Sequence, residues 1–185
     1  MCLILIAHRL TEQMPRLVLA NRDEFYARPT AAAAQWQETP GMVAGRDLVS
    51  GGTWFGACND RWATVTNIRE GVRDKDKDEH SSKSRGWLVR DYLQGDVPPA
   101  DFFAAITATD DFAGFNLLLG DRQELWYASS NDVNARLLPP GIYGLSNHLL
   151  DTPWPKVVRG KVGLGQLLHR SAFDHDAAFT LLADT

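Results

Sequence analysis

MCLILIAHRLTEQMPRLVLANRDEF, residues 1–25, holds two apolar runs separated by a polar break. Leu3 to Ala7 is rich in leucine and isoleucine, TEQMP interrupts it, and Leu17 to Ala20 resumes it. Two such runs around a turn-forming break predict a pair of strands. The first run is apolar on both faces instead of alternating, so it should be covered on both sides, inside a layered domain. Pairing has a chemical consequence. It brings Cys2, at the head of the first strand, beside Asn21, Arg22, Asp23 and Glu24, at the tail of the second.

Outward from this hairpin, the sequence predicts strands, then helices, then strands, then helices. The first fifty residues read as the hairpin followed by a long ordered loop, with the alanine-rich Thr30 to Ala34 open between helix and loop. GGTWFGACNDRWATVTN, residues 51–67, reads as a hairpin turning at Asn59-Asp60. Its glycines suit a tight turn with Trp54 packed nearby, a ligand-contacting backbone being the other reading. VRDKDKDEHSSKS, residues 72–84, is a solvated charged loop. Asp74, Asp76 and Asp78 imitate a calcium loop, but Glu79 stands where the required glycine belongs and Arg85 where the bidentate glutamate belongs. No metal site is expected. RGWLVRDYL and PADFFAAITA carry helical spacing and an N-terminal-turn pattern. FNLLLGD, ELWYAS and GIYGLSN read as strands, and KVVRGKVGLGQLLHRS and HDAAFTLLAD as late helices. This order is α+β and not alternating βαβ.

Composition bounds the function. At 185 residues, 44% of them hydrophobic, the chain suits a single domain over 1–185 with one buried core. A net charge of −4 without a basic stripe argues against nucleic acid. The apolar run at the start is far shorter than the roughly 20 residues of a membrane span and has no basic region before it, so a cytoplasmic location without a membrane span is expected. Two cysteines are too few for a disulfide framework, and Cys58 reads as a buried reduced thiol. The oligomeric state is not legible.

Cys2 is the residue with chemistry. A methionine before a small residue is normally trimmed, which would leave Cys2 with both its thiol and a free α-amino group. Thiols titrate near 8.5 and α-amino groups at about 7.7–8.0, so such a terminus carries a nucleophile and its own base. The plainer reading makes Cys2 a small apolar residue at a strand start. Arg22 is placed to favour a thiolate or to hold a substrate carboxylate, and Asp23 to accept hydrogen bonds from the α-amino group. The alternative for this stretch is a capped turn with an internal ion pair.

In order along the chain, Cys2, NRDEFYARP, GGTWFG, Thr66-Asn67, SRGWLV, GFNLL and YGLSNHLLDTPWPK resemble the NRDE-motif family, the transport and Golgi organisation protein 2-like proteins. That family looks like the N-terminal-nucleophile hydrolase superfamily. The resemblance implies an αββα sandwich of two antiparallel sheets between helical layers, here lacking the family's C-terminal portion. It also implies roles: Cys2 as nucleophile, Asn67 in the oxyanion hole, Asn147 as a second active-site asparagine, and Arg22 and Asp23 beside the nucleophile. A side-chain NH₂ aimed at an oxyanion is worth about 3–4 kcal/mol where one has been removed. Asn67 and Asn147 also suit plain turn and capping positions.

Two functions follow. One is hydrolysis of a small non-peptide amide through a Cys2 thioester, with no cofactor required. The other, implied by the resemblance, is a non-catalytic carrier that traffics haem or binds lipid or acyl-CoA. Haem would need an apolar slot and an axial ligand, for which His8 and His148 are the first candidates.

Overall fold

The computed structural model describes residues 2–68, 83–106, 112–170 and 172–183. The calcium-like Asp74, Asp76 and Asp78 lie outside the described residues. In chain order the strands are β1 (Leu3–His8), β2 (Arg16–Asn21), β3 (Thr30–Gln35), β4 (Met42–Asp47), β5 (Phe55–Cys58) and β6 (Arg61–Asn67). Helices α1 (Gly86–Gln94) and α2 (Pro99–Ile106) follow, then β7 (Phe115–Gly120), β8 (Leu125–Ser129), β9 (Asp132–Leu137) and β10 (Gly141–Leu145). Helices α3 (Pro155–Leu168) and α4 (His175–Ala183) close the order. All strand pairings between these elements are antiparallel, in two sheets, which meets the α+β expectation.

The chain divides into two compact units, Met1–Asp23 with Pro139–Thr185, and Glu24–Leu138. The first is built on a three-stranded sheet ordered β10-β1-β2. The predicted hairpin is there, with Leu3 opposite Asn21 and His8 opposite Arg16. β1 is buried along its whole length, as its two-sided apolar sequence requires. Leu3, Leu5 and Ala7 point to one face, where they pack with Val157 and Leu164 of α3 and with Leu17, Leu19 and Ile142. Helix and sheet come close because Gly160 has no side chain: a Cβ there would sit 2.8 Å from Leu5 Cδ2.

The second unit carries a seven-stranded sheet ordered β3-β4-β5-β6-β7-β8-β9. Leu88, Val89, Tyr92 and Leu93 form the buried stripe of α1 and meet Met42, Ala44, Leu117 and Leu119. The β5–β6 turn falls at Asn59-Asp60 as expected, with Asn59 at φ 53°, in the left-handed region that Asn tolerates. In the GGTWFG stretch, Gly51 turns the chain at φ 72°, its N–H donating to the Asp47 carbonyl at 2.8 Å, and Gly52 serves packing. A Cβ on Gly52 would lie 2.6 Å from the Gly86 carbonyl carbon at the start of α1, and Thr53 N–H donates to the Gly86 carbonyl at 3.1 Å. The Thr30 to Ala34 segment is neither helix nor loop but the edge strand β3, with an irregular register between Ala31 and Ala34. The region read as one long loop also contains β4, and β9 went unpredicted.

Candidate active site at the N-terminal cysteine

β1 begins at Leu3, so Cys2 projects from the end of a fully buried strand while remaining partly accessible itself. The β2 hairpin returns the chain to the same place. Asp23 N–H lies 3.4 Å from Cys2 Sγ, so the sulfur accepts a backbone hydrogen bond from the polar stretch. The Asp23 side chain is exposed, and Arg22 is half-buried beside it.

The opposite side of Cys2 is lined by the chain that leaves β10. Ser146 Oγ donates to the Cys2 carbonyl at 2.9 Å, and Lys156 Nζ donates to the same oxygen at 3.0 Å. Asn147, next to Ser146, is only 1% exposed. This loop is held in shape by Asp151: its N–H donates to the Gly144 carbonyl at 2.8 Å, and its Oδ1 accepts from Gly144 N–H at 2.9 Å and from Lys161 Nζ at 2.7 Å. His148 is exposed; its Nδ1 pairs with Thr152 Oγ1 at 3.0 Å, and that hydroxyl donates to the Leu149 carbonyl.

The first unit thus brings together Cys2, Arg22, Asp23 and Asn147 from the candidates read in the sequence. It gives a role to Asn21, which the hairpin already placed beside Cys2, and adds Ser146 and Lys156. Asn21 Oδ1 accepts from Leu3 N–H at 2.7 Å, and its Nδ2 donates to the Leu182 carbonyl of α4 at 3.0 Å. All three stand inside the motifs NRDEFYARP and YGLSNHLLDTPWPK, which is the signal that could have given their roles. His8 closes β1, 2% exposed. Burial, and then the neighbouring Arg9 and Arg16 charges, hold the pKa of its imidazole below the ordinary histidine range.

Asn67 belongs to the second unit, at the end of β6 opposite Phe115. Beside it lies a buried polar relay that the sequence reading did not single out. Asn116, fully buried, donates through Nδ2 to Thr66 Oγ1 at 3.2 Å and accepts from Tyr127 OH at 2.7 Å. Pairing of these groups removes the cost of burying them.

The family model described as Transport and Golgi organisation 2 matches residues 1–185. The chain belongs to the Transport and Golgi organisation 2 family. A human member, Transport and Golgi organization protein 2 homolog, is 33% identical over 182 residues, covering 91% of this chain and 64% of its own length. The Drosophila melanogaster Transport and Golgi organization protein 2 is 28% identical over 173 residues, 79% of this chain and 56% of the relative. The chain therefore spans between about half and two thirds of the length of these family relatives. Among solved structures, the Caenorhabditis elegans N-acylethanolamine-hydrolyzing acid amidase ortholog superposes with a TM-score of 0.67 at 11% identity, covering 100% of this chain and 86% of that one. This family member thus shares its fold with that amidase. Among the described residues no helix is long and apolar enough to cross a membrane.

Proposed function

We propose that this chain is an N-terminal-cysteine amidohydrolase acting on a small non-peptide amide. The observation that carries the reading is Cys2 itself: a partly accessible thiol at the head of a buried strand, its sulfur facing a backbone N–H of the NRDE stretch. With Met1 removed, the α-amino group takes the thiol proton as sulfur bonds to the amide carbon. The same proton passes to the departing amine nitrogen as the C–N bond breaks, leaving a thioester. Water then adds to the thioester carbon, and the acid leaves as the thiol is restored. The Asp23 N–H, which faces the sulfur, offsets negative charge there, and Asn147, buried in the neighbouring loop, is the candidate oxyanion donor of this unit. Asn67 keeps its proposed oxyanion role on the resemblance alone.

The test is hydrolysis of a series of acyl p-nitroanilides, together with intact-mass trapping of the acylated chain. Cys2→Ala should remove both turnover and the mass adduct, lowering the rate by roughly 10³-fold or more. Undiminished turnover in Cys2→Ala would overturn the reading.

The carrier reading has an observation of its own in the second unit. A groove of about 600 Å³ along β3, β4 and β5 is lined by Ala31, Ala33, Val43, Gly45, Trp54 and Phe55, among others, a size and polarity that suit an acyl chain. Its lining holds no His, Cys or Met. Haem seated there would draw no axial ligand from this lining, so ligation would fall to His8, His148 or Cys2. Unchanged haem titration spectra in the alanine variants of all three would rule out ligation by them.

A further inference from the structure

Once Met1 is gone, Cys2 is tethered by one covalent bond only, that of its own carbonyl carbon to the rest of the chain. Chain termini fray unless tied down. The position of the Cys2 Cα, which bears both the thiol arm and the α-amino group, is then set by the peptide unit joining Cys2 to Leu3, which is planar and turns as one body. Rotation about the Cα–C bond is steadied by the hydrogen bond from Asp23 N–H to Sγ at 3.4 Å. Side chains grip this unit at both ends. Its oxygen receives Ser146 Oγ at 2.9 Å and Lys156 Nζ at 3.0 Å, and its N–H is taken by Asn21 Oδ1 at 2.7 Å. Asn21 is itself braced by the Leu182 carbonyl at 3.0 Å.

Lys156 is the most telling of the three. It is 7% exposed, although burying an ammonium is costly. It is also the second residue of α3, the helix end whose partial positive charge disfavours a cation. The Trp154 ring, with its centroid 5.9 Å from Nζ, covers it. A residue that breaks two local rules at once, with its head group on the candidate nucleophile's own carbonyl, belongs to the working of the site. The reach of one residue is short: N and O of Cys2 are at most about 3.6 Å apart, which puts the ammonium within about 7 Å of the α-nitrogen.

We propose that Asn21, Ser146 and Lys156 form a clamp on the Cys2–Leu3 peptide and are positioning residues for the N-terminal nucleophile. The clamp fixes the plane from which the thiol projects, and the Lys156 charge favours the anionic sulfur that reacts. This inference rests on the hydrolase reading of Cys2.

The experiment follows carboxamidomethylation of Cys2 by iodoacetamide in the full chain, mapped against Cys58 as the buried internal reference, together with hydrogen exchange at the Leu3 amide. Lys156→Met should slow Cys2 labelling about tenfold or more with no loss in thermal midpoint, since an uncharged isostere relieves a buried charge. Lys156→Arg, which keeps the cation and donors, should restore most of the rate. Wild-type labelling in folded Lys156→Met would overturn the clamp. If wild-type Cys2 labels no faster than Cys58, the nucleophile reading falls, and the clamp is judged on the Leu3 amide alone. Exchange faster by about tenfold in Lys156→Met and Asn21→Ala, the loss of roughly one hydrogen bond, upholds it. Unchanged exchange in both overturns it.

Discussion

His8 ends β1 with its ring buried and its Nδ1 without a hydrogen-bond partner among the described residues. A polar nitrogen buried in this way costs about 1–3 kcal/mol, and the same burial, with the Arg9 and Arg16 charges, holds the imidazole below its ordinary value. The sign of the pH effect follows. The unfolded chain takes up a proton near pH 6.5 that the folded chain refuses, so the contribution is fully present above that pH and is lost as pH falls toward the lower folded value. His8→Leu should remove this dependence, so urea unfolding at pH 7.5 and pH 5 should show a smaller loss of stability on acidification than in the wild type. An unchanged loss would show that other groups govern the acid limb. Cys2 differs from His8 in how it could be read. Its place behind Met1 is visible in the sequence alone, and so is its return to NRDE through the hairpin. The grip of Ser146 and Lys156 on its carbonyl was hidden, because it depends on β10 and α3 folding back from the far end of the chain.

Between elements, the sharpest constraint is where Gly52 meets the start of α1. A Cβ at Gly52 would stand 2.6 Å from the Gly86 carbonyl carbon and 2.8 Å from its oxygen, and backbone atoms cannot swing aside as a side-chain tip can. Gly51, at φ 72°, has open space around it and only conformational preference to lose. Gly52→Ala should therefore cost about 1–3 kcal/mol, more than Gly51→Ala at about 1 kcal/mol, in denaturant unfolding. The reverse ranking would mean that α1 shifts freely. Elements whose own side chains decide their state were legible: β1 and β2 by their apolar runs, and α1 by the spacing of Leu88, Tyr92 and its neighbours. The strands missed include both edges of the large sheet, β3 and β9. TAAAAQ and DVNARL have little intrinsic strand preference; they are strands because β4 and β8 offer each a ladder. β4 was missed as well, its buried Met42 and Ala44 being diluted by Gly45, Arg46 and Asp47.

At the scale of the whole molecule, the unit that carries Cys2 is assembled from the two ends of the chain. β1 pairs with β10, so Ile4 finds Leu145 and the unit cannot close until the chain has passed through the other. Its core and its site share a last support, α4. Leu181 packs into the cluster around Leu3, Leu5 and Leu164, and the Leu182 carbonyl braces Asn21, which in turn holds the Leu3 amide. The second unit has its own core around Tyr92, Leu117 and Leu119. Stopping the chain after Arg170 should thus loosen one set of strands and spare another. Losing one half-buried leucine, the buried Ala178 and one hydrogen bond amounts to about 2–4 kcal/mol of local stability. In hydrogen exchange, amides of β1, β2 and β10 should then lose protection by tenfold or more, while those of β6, β7 and β8 keep theirs. Alkylation of Cys2 should change in parallel with the Leu3 amide, because both report the same peptide. Equal loss of protection in both sets of strands would show that the units unfold as one, and α4 would then support the whole chain and not the N-terminal site.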